Sequence, residues 1–157
     1  MGFVKYCAYN NIIKEKLIKK GKKLSIGSAI VLNIIDFYEK TVRDILKNTR
    51  YRNTCNIYEL AENVNDILST GNQTGEGWFL TAEMVELIKD GINNIVCVQP
   101  FACLPNHIVG KSVIKKLRTL YKESNIVAID YDPGASHTNQ VNRIKLMLSN
   151  AKLNNYL

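Results

Sequence analysis

The chain has 157 residues and a formal net charge of +7, with 46% hydrophobic and 22% charged residues. These values are ordinary for one globular domain or two small subdomains, and a chain of this length buries about two thirds of its unfolded surface. No apolar run approaches the ~20 residues that a transmembrane helix needs, so we expect no membrane partner.

Lysines are concentrated near the N-terminus. They are Lys14, Lys16, Lys19, Lys20, Lys22 and Lys23. Such a run is typical of a solvated helix face, although it can also bind nucleic acid or acidic surfaces, and the net charge would favour an anionic ligand. Because no aromatic residue interleaves with these lysines, a base-stacking platform, and therefore nucleic-acid binding, is not expected.

The four cysteines give no metal or redox motif by their spacing. They are Cys7, Cys55, Cys97 and Cys103. No CxxC pair is present, so the sequence does not support a zinc ribbon or a thioredoxin-type motif. The N-terminus lacks the apolar core of a signal peptide, so the sequence predicts free thiols in a reducing cytoplasm.

The first half of the chain has the apolar spacing of helices. Helices are predicted over residues 11–20, 29–48 and 57–69. Gly21 would end the first and Ser28 would cap the second, and residues 23–26 are an alternative strand candidate. One helical face of the second helix is apolar, and it consists of Ile30, Ile34, Phe37, Tyr38, Val42, Ile45 and Leu46.

A glycine-rich segment, residues 71–77, separates these helices from the rest. Three glycines in seven residues predict tight turns or a close approach of the backbone to something else. Because Trp78 follows directly, the simpler interpretation is a surface turn that is anchored by a buried indole. Thr81 would then cap a helix that runs to Asp90, with Gly91 as its left-handed end.

The C-terminal half of the sequence predicts a βαβα unit. Strands are predicted over residues 94–99 and 126–130, and helices over 108–121 and 138–151. Both strands are nearly continuous apolar runs, which is typical of parallel strands covered on both faces.

The fold class is therefore α/β. A helical region, residues 1–75, precedes a Rossmann- or flavodoxin-like unit with parallel strands, residues 76–157. Two strands make a poor sheet, so we expect that the unit belongs to a larger sheet, either as a piece of a larger protein or by sharing a partner's strands.

Polar loops follow both predicted strands. Cys103 lies in a short loop before a helix, where a thiolate could ligate a metal or act as a nucleophile, and His107 follows four residues later. The alternatives are a small buried cysteine at position 103 and a histidine at position 107 that caps the helix or bonds a carbonyl.

The second loop holds Asp130, Asp132 and Ser136. An acid at this edge can bind a ribose hydroxyl, a metal or a helix N-terminus, whereas Asp-Pro-Gly also forms turns by itself and Ser136 is a natural cap. Loops after parallel strands meet at one edge of the sheet, where ligands usually bind. No nucleotide-binding glycine motif, ATP motif or nucleophile elbow is present.

Four ordered segments are similar to one family. They are Gly75–Met84 (GEGWFLTAEM), Gln99–His107 (QPFACLPNH), Ile129–Ser136 (IDYDPGAS) and Asn142–Met147 (NRIKLM). They resemble the C-terminal part of the large CoA-substrate-specific enzyme activases, which are related to the 2-hydroxyacyl-CoA dehydratases such as 2-hydroxyglutaryl-CoA dehydratase. The resemblance covers about residues 50–151. The family usually has glycine where this chain has Ala102 and Ser112.

The resemblance implies an α/β protein of an iron–sulfur system. The related dehydratases hold a 4Fe–4S cluster through cysteines from several loops, receive an electron from an ATP-driven activator protein, and dehydrate a 2-hydroxyacyl-CoA by a ketyl radical route. Cys103 would be the cluster ligand, with partners among other domains or subunits of the system. Because a cluster needs about four thiolates, the ligand set in this chain is incomplete.

Two readings of function remain open. The first is a domain or fragment that contributes to electron transfer or cluster binding through Cys103. The second is a non-catalytic ligand-binding or assembly module, for which a CoA-type ligand is a candidate. The residues that would hold a cofactor are Cys103, Asn106, His107, Asp130, Asp132 and Ser136. No residue is assigned a catalytic role.

Overall fold

A computed structural model describes residues 2–18, 22–51, 53 and 55–154. Its contacts divide the chain into two compact units, Met1–Glu59 and Leu60–Leu157. The first unit contains 12 Lys or Arg and 5 Asp or Glu residues, so the whole net charge of +7 belongs to it.

Two helices, α1 (Gly2–Ile18) and α2 (Lys22–Leu46), pack together in the first unit. Tyr6 of α1 and Leu32 of α2 are buried. The Lys5 ammonium is almost inaccessible to solvent, and it lies 2.5 Å from the Asp36 carboxylate and 2.7 Å from the Glu39 carboxylate of α2. The two carboxylates compensate for the desolvation of this lysine.

Both helices begin earlier than predicted. α1 starts at Gly2 rather than near residue 11, and its predicted end at Gly21 lies outside the described residues. Ser28 is buried within α2 instead of capping it, and the strand predicted over residues 23–26 is wrong because α2 covers it.

The apolar face of α2 does not form a core. Most of its side chains are about half exposed or more: Ile30, Ile34, Phe37, Tyr38, Val42 and Ile45. The helix that was predicted from the spacing of these residues is therefore confirmed. However, α2 packs on α1 through its other side, which contains Leu32, Asp36 and Glu39.

Helix α3 (Ile57–Val64) crosses the boundary between the two units, which lies after Glu59. The next helix, α4 (Trp78–Lys89), belongs to the second unit. α4 begins three residues before the predicted cap Thr81, which is fully buried inside the helix. Gly91 has a φ of 80° and ends this helix as predicted. The indole of Trp78 is also fully buried.

The parallel strands β1 (Asn94–Pro100) and β2 (Asn125–Tyr131) form a two-stranded sheet, with Gln99 opposite Asp130. A π-helix (Asn106–Lys111), α5 (Ile114–Leu120) and α6 (His137–Asn154) complete the unit. The α/β class, the helical N-terminal half and the parallel strands are thereby confirmed.

The core of the second unit lies between the sheet, α4 and α5. Its buried apolar residues are Met84, Val85, Ile88, Ile95, Val113, Ile114, Leu117, Ile126 and Ala128. Only one face of β1 contributes, because Val96 and Val98 on the other face are 40% and 46% exposed. The expectation that both faces of both strands are covered is therefore wrong for β1.

None of the helices in the described ranges is long and apolar enough to cross a membrane.

Candidate functional site

The two predicted polar loops leave the sheet at the same end. β1 and β2 are parallel, with Pro100 opposite Tyr131, so both chains emerge at their carboxyl edge. Cys103 follows the end of β1 by three residues, and its N–H donates to the Pro100 carbonyl at 3.1 Å. Asp130 and Asp132 flank the end of β2. We call these loops, residues 101–107 and 130–136, the carboxyl rim.

A tight turn presents Cys103. Ala102 has a φ of 55°, the left-handed conformation that favours glycine, and no other non-glycine residue of the described ranges has a positive φ. The Cys103 side chain is half-buried and its sulfur is a free thiol. The backbone therefore adopts a strained turn immediately before this thiol.

The polar residues after Cys103 bind the backbone around it. His107 Nδ1 lies 2.9 Å from the Cys103 carbonyl oxygen. Of the alternatives for this histidine, the structure therefore shows the one in which it bonds a carbonyl. Asn106 Nδ2 donates to the Val98 carbonyl of β1 at 2.9 Å. Both side chains hold the loop in place.

The π-helix that follows packs closely on the sheet and on α4. The buried Thr81 hydroxyl donates to the Val109 carbonyl. A Cβ added at Gly110 would lie 3.2 Å from Cys97 Sγ, so this glycine allows the close approach to β1. Residues of α4 and β1 thereby support the helical segment that carries Asn106 and His107.

Asp130 connects the second loop of the rim to the π-helix that follows the first loop. Its carboxylate lies 3.5 Å from the ammonium of Lys111, at the end of the π-helix. Since both side chains are 43% exposed, this ion pair orients the groups more than it stabilises the fold. Asp130 also lines a cavity of about 250 Å³ with Asp132, Ser136 and Arg143.

Asp132 and Ser136 make the local hydrogen bonds of a turn and a cap. Asp132 Oδ1 accepts from the Gly134 N–H at 2.9 Å, as in an Asx-type turn. Ser136 Oγ accepts from the Asn139 N–H at 3.4 Å, at the start of α6. Both residues also line the cavity.

A second cavity, of about 430 Å³, lies along β2 and is lined by cationic side chains. The cations are Lys111, Lys115, Arg118 and Arg143, and no acidic residue lines it. Arg143 lines both cavities. We call this cavity the cationic groove.

Sequence reasoning about single residues missed these cations. Isolated lysines and arginines are usually solvated, and only the fold shows that two of them bind the strand. Arg118 Nη2 donates to the Ile126 carbonyl, and Arg143 Nη1 donates to the Ala128 carbonyl at 3.0 Å. The one available signal was that Arg143 lies in the NRIKLM segment.

Cys97 is a core thiol. Gln99, which is 1% exposed, donates to Cys97 Sγ at 3.1 Å. Burial raises the pKa of the Cys97 thiol above its ordinary value, more than the Gln99 hydrogen bond lowers it. The sulfur is therefore held in the protonated form, which is a poor metal ligand.

The cysteines of this chain can supply one ligand of a 4Fe–4S cluster, but not all four. The four cysteines all lie in the described ranges, and none of them forms a disulfide. Within the described ranges, no three His, Cys, Asp or Glu side chains are grouped as a metal site would require. A 4Fe–4S cluster needs about four thiolates, so Cys103 alone cannot hold one.

Comparison with known proteins gives no family assignment. The chain matches no family model, no curated protein and no solved structure. The residues of the rim and the groove are therefore the only guide to function within the described part of the chain.

Proposed function

We propose that the chain is a module of an iron–sulfur system of the 2-hydroxyacyl-CoA dehydratase activase or reductase type, in which Cys103 supplies one cluster ligand. The observation that carries the proposal is the position of Cys103, a free thiol on the carboxyl rim beside the loop that contains Asp130 and Asp132. Ligands of open α/β sheets bind at this edge.

The conformation of Ala102 supports the family resemblance independently. The resembling family usually has glycine at this position, and the backbone there has a φ of 55°. A glycine is the residue that such a turn favours, because an L side chain in this conformation is strained. Ser112 has an ordinary right-handed conformation, with a φ of −67°, and places no such demand on the residue type.

In this proposal the chain acts together with other domains or subunits, in a reducing cytoplasm. The remaining thiolates come from those partners, and the two strands belong to a larger Rossmann-like sheet. The cluster, when bound, would supply one-electron transfer. Cys103 would hold it, while Asn106 and His107 would keep the ligand loop in place through their backbone hydrogen bonds.

Anaerobic reconstitution with iron and sulfide tests the cluster assignment. Small thiols in the mixture can complete the coordination, so we expect visible charge-transfer absorbance that depends on Cys103. Cys103→Ser should abolish it, whereas Cys7→Ser, at an exposed cysteine of α1, should not. Absence of the signal from the native chain, or its persistence in Cys103→Ser, would reject the proposal.

The cationic groove favours a second candidate function, a non-catalytic module that binds an anionic ligand of the CoA type. Lys115 and Arg143 line the groove, and no acidic residue lines it, which suits phosphate groups. Coenzyme A should then raise the melting temperature, and Lys115→Glu should reduce the shift. Lys152→Glu, outside the groove, is the control. No shift with coenzyme A, or equal shifts in both variants, would count against this function.

A further inference from the structure

Side chains from α5 and α6 bind the outer edge of β2, beside the cationic groove. Arg118 donates to the Ile126 carbonyl, and Arg143 donates to the Ala128 carbonyl at 3.0 Å. A further strand could pair with this edge only by displacing these donors. The space beside β2 is therefore better suited to a small ligand than to a strand.

A further cavity, of about 300 Å³, lies next to the groove at the amino end of β2. It is lined by Arg118, Ser124, Asn125, Asn150 and Leu153. Arg118 also lines the cationic groove, so the two cavities are neighbours that share this residue. Among the residues that the structure describes, Arg118 is the only charged one that lines this cavity. We call it the amino-end cavity.

Ser124 is a buried polar residue of the amino-end cavity. It is 8% exposed, and its hydroxyl oxygen is buried without a hydrogen-bond partner in the described part of the chain. Its neighbour Asn125 is fully held, because Nδ2 donates to Asn94 Oδ1 and to the Met147 carbonyl, both at 2.8 Å. Buried hydroxyl groups are nearly always paired in proteins, so an unpaired one that lines a cavity indicates a group that binds there.

We propose that the amino-end cavity binds the uncharged end of a ligand whose phosphate group lies in the cationic groove. The Ser124 hydroxyl and the Asn150 amide can each donate and accept, which suits an uncharged group with both donors and acceptors, a nucleobase or an amide. Ser124 precedes Ile126 by two residues, about 7 Å along an extended chain, which a sugar or a short linker spans. This inference rests on the anion-binding function proposed for the groove.

The charges around the two cavities give the ligand its orientation. α6 ends beside the amino-end cavity, one residue after Leu153, and the C-terminal end of a helix carries a partial negative charge. This end of β2 therefore disfavours a phosphate group, whereas the groove provides Lys111, Lys115 and Arg143 in addition to Arg118. The phosphate accordingly lies in the groove, and the uncharged group lies in the amino-end cavity.

Isothermal titration calorimetry with organic phosphates and with their phosphate groups alone tests this inference. ADP, which carries a nucleobase, is compared with inorganic pyrophosphate, and 4′-phosphopantetheine, which carries amides, is compared with inorganic phosphate. We expect one of the two organic ligands to bind about tenfold more tightly than its phosphate group alone, which identifies the uncharged group. Ser124→Ala should remove this gain and leave the affinity for pyrophosphate and phosphate unchanged.

Ser149→Ala is the matched control and should keep the gain, because the Ser149 hydroxyl is exposed and donates to the Lys145 carbonyl at 2.9 Å. Without ligand, Ser124→Ala should melt no lower than the native chain, since the hydroxyl that it removes is unpaired. If this variant does not fold, Asn150→Ala, at an exposed residue of the same cavity, replaces it.

The pattern of binding separates this inference from the function on which it rests. If neither organic ligand binds more tightly than its phosphate group, or if the gain persists in Ser124→Ala, the amino-end cavity holds only water and the inference is overturned, while the groove keeps its anion-binding function. If pyrophosphate, phosphate and both organic ligands all fail to bind, the function of the groove and the inference are rejected together.

Discussion

Gly75 lies directly against Pro105. A Cβ added at Gly75 would be 2.8 Å from Pro105 Cγ, and the φ of Gly75 is 58°. The glycine-rich segment therefore approaches the loop that follows Cys103, which is one of the alternatives that its glycines left open, and the buried indole of Trp78 fits the alternative of an anchored turn. The position of the proposed ligand loop depends on this contact.

Replacing Gly75 by alanine should destabilise the protein by about 3 kcal/mol, since it adds both left-handed strain and an overlap with Pro105. Gly91→Ala is the matched control, because Gly91 also has a positive φ, 80°, but nothing within 4 Å of the added Cβ. That variant should lose only about 1 kcal/mol. Urea unfolding measures both, and equal losses would contradict the contact.

Ala102→Gly should stabilise the protein by about 1 kcal/mol, because it relieves the strain of a φ of 55°. Ala135, in the other loop of the rim, has no positive φ, so Ala135→Gly should lose stability through the greater freedom of the unfolded chain. Thermal unfolding of the two variants makes the comparison. A loss of stability in Ala102→Gly would show that the turn is relaxed.

Thr81→Val should lower the free energy of unfolding by about 1–3 kcal/mol. The substitution removes the buried hydroxyl that donates to the Val109 carbonyl of the π-helix. Thr119→Val is the control. The Thr119 hydroxyl donates to the Lys115 carbonyl at 3.0 Å in the same way, but it is exposed, and we expect a change within about 0.5 kcal/mol. Denaturant unfolding distinguishes them, and similar changes would argue against support of the π-helix by α4.

Because of the Cys97 thiol, we expect the protein to lose stability at alkaline pH. Burial raises its pKa in the folded protein above the ordinary 9.0, so the unfolded chain ionises first as the pH rises. Stability is then lost from about that ordinary value up to the folded pKa, by at most about 1.4 kcal/mol per pH unit.

Urea unfolding at a series of alkaline pH values measures this loss. Cys97→Ala should show a shallower decline than the native chain, because alanine does not ionise. Parallel declines of the two proteins would contradict a raised pKa.

Lys5→Met should lower the free energy of unfolding of the helical unit by about 2 kcal/mol, because it leaves the half-exposed Asp36 without its cation and Glu39 with Arg43 alone, at 3.4 Å. Lys47 forms a comparable 2.8 Å pair with Asp44, but both groups are exposed. Lys47→Met should therefore change stability by less than about 1 kcal/mol. Helical circular dichroism during unfolding measures both variants, and equal effects would refute the role of burial.

Local sequence pattern was sufficient for the strands and for the last helix, because their apolar runs are bounded by polar turns. It failed at Ser28 and Thr81, since a hydroxyl residue can cap a helix or bond inside a buried one, and only tertiary contacts decide between the two. The π-helix likewise depends on the fit of Gly110 against Cys97, which no local spacing encodes.

The candidate site was predictable to the extent that it follows from parallel strands. The order of strand and loop places Cys103 and Asp130 at one edge, whatever the details of the turns. The cationic groove was not predictable, because Arg118 and Arg143 acquire their partners only when α5 and α6 pack beside the outer carbonyls of β2.

Iron and sulfide analysis of the native chain and of Cys103→Ser, each reconstituted anaerobically with a small thiol that supplies the remaining ligands and then desalted, tests the central claim most directly. We expect iron and inorganic sulfide in the native protein and neither in the variant, with both proteins equally folded. Iron-free native protein, or equal iron in the two, would contradict the role of Cys103 as a cluster ligand.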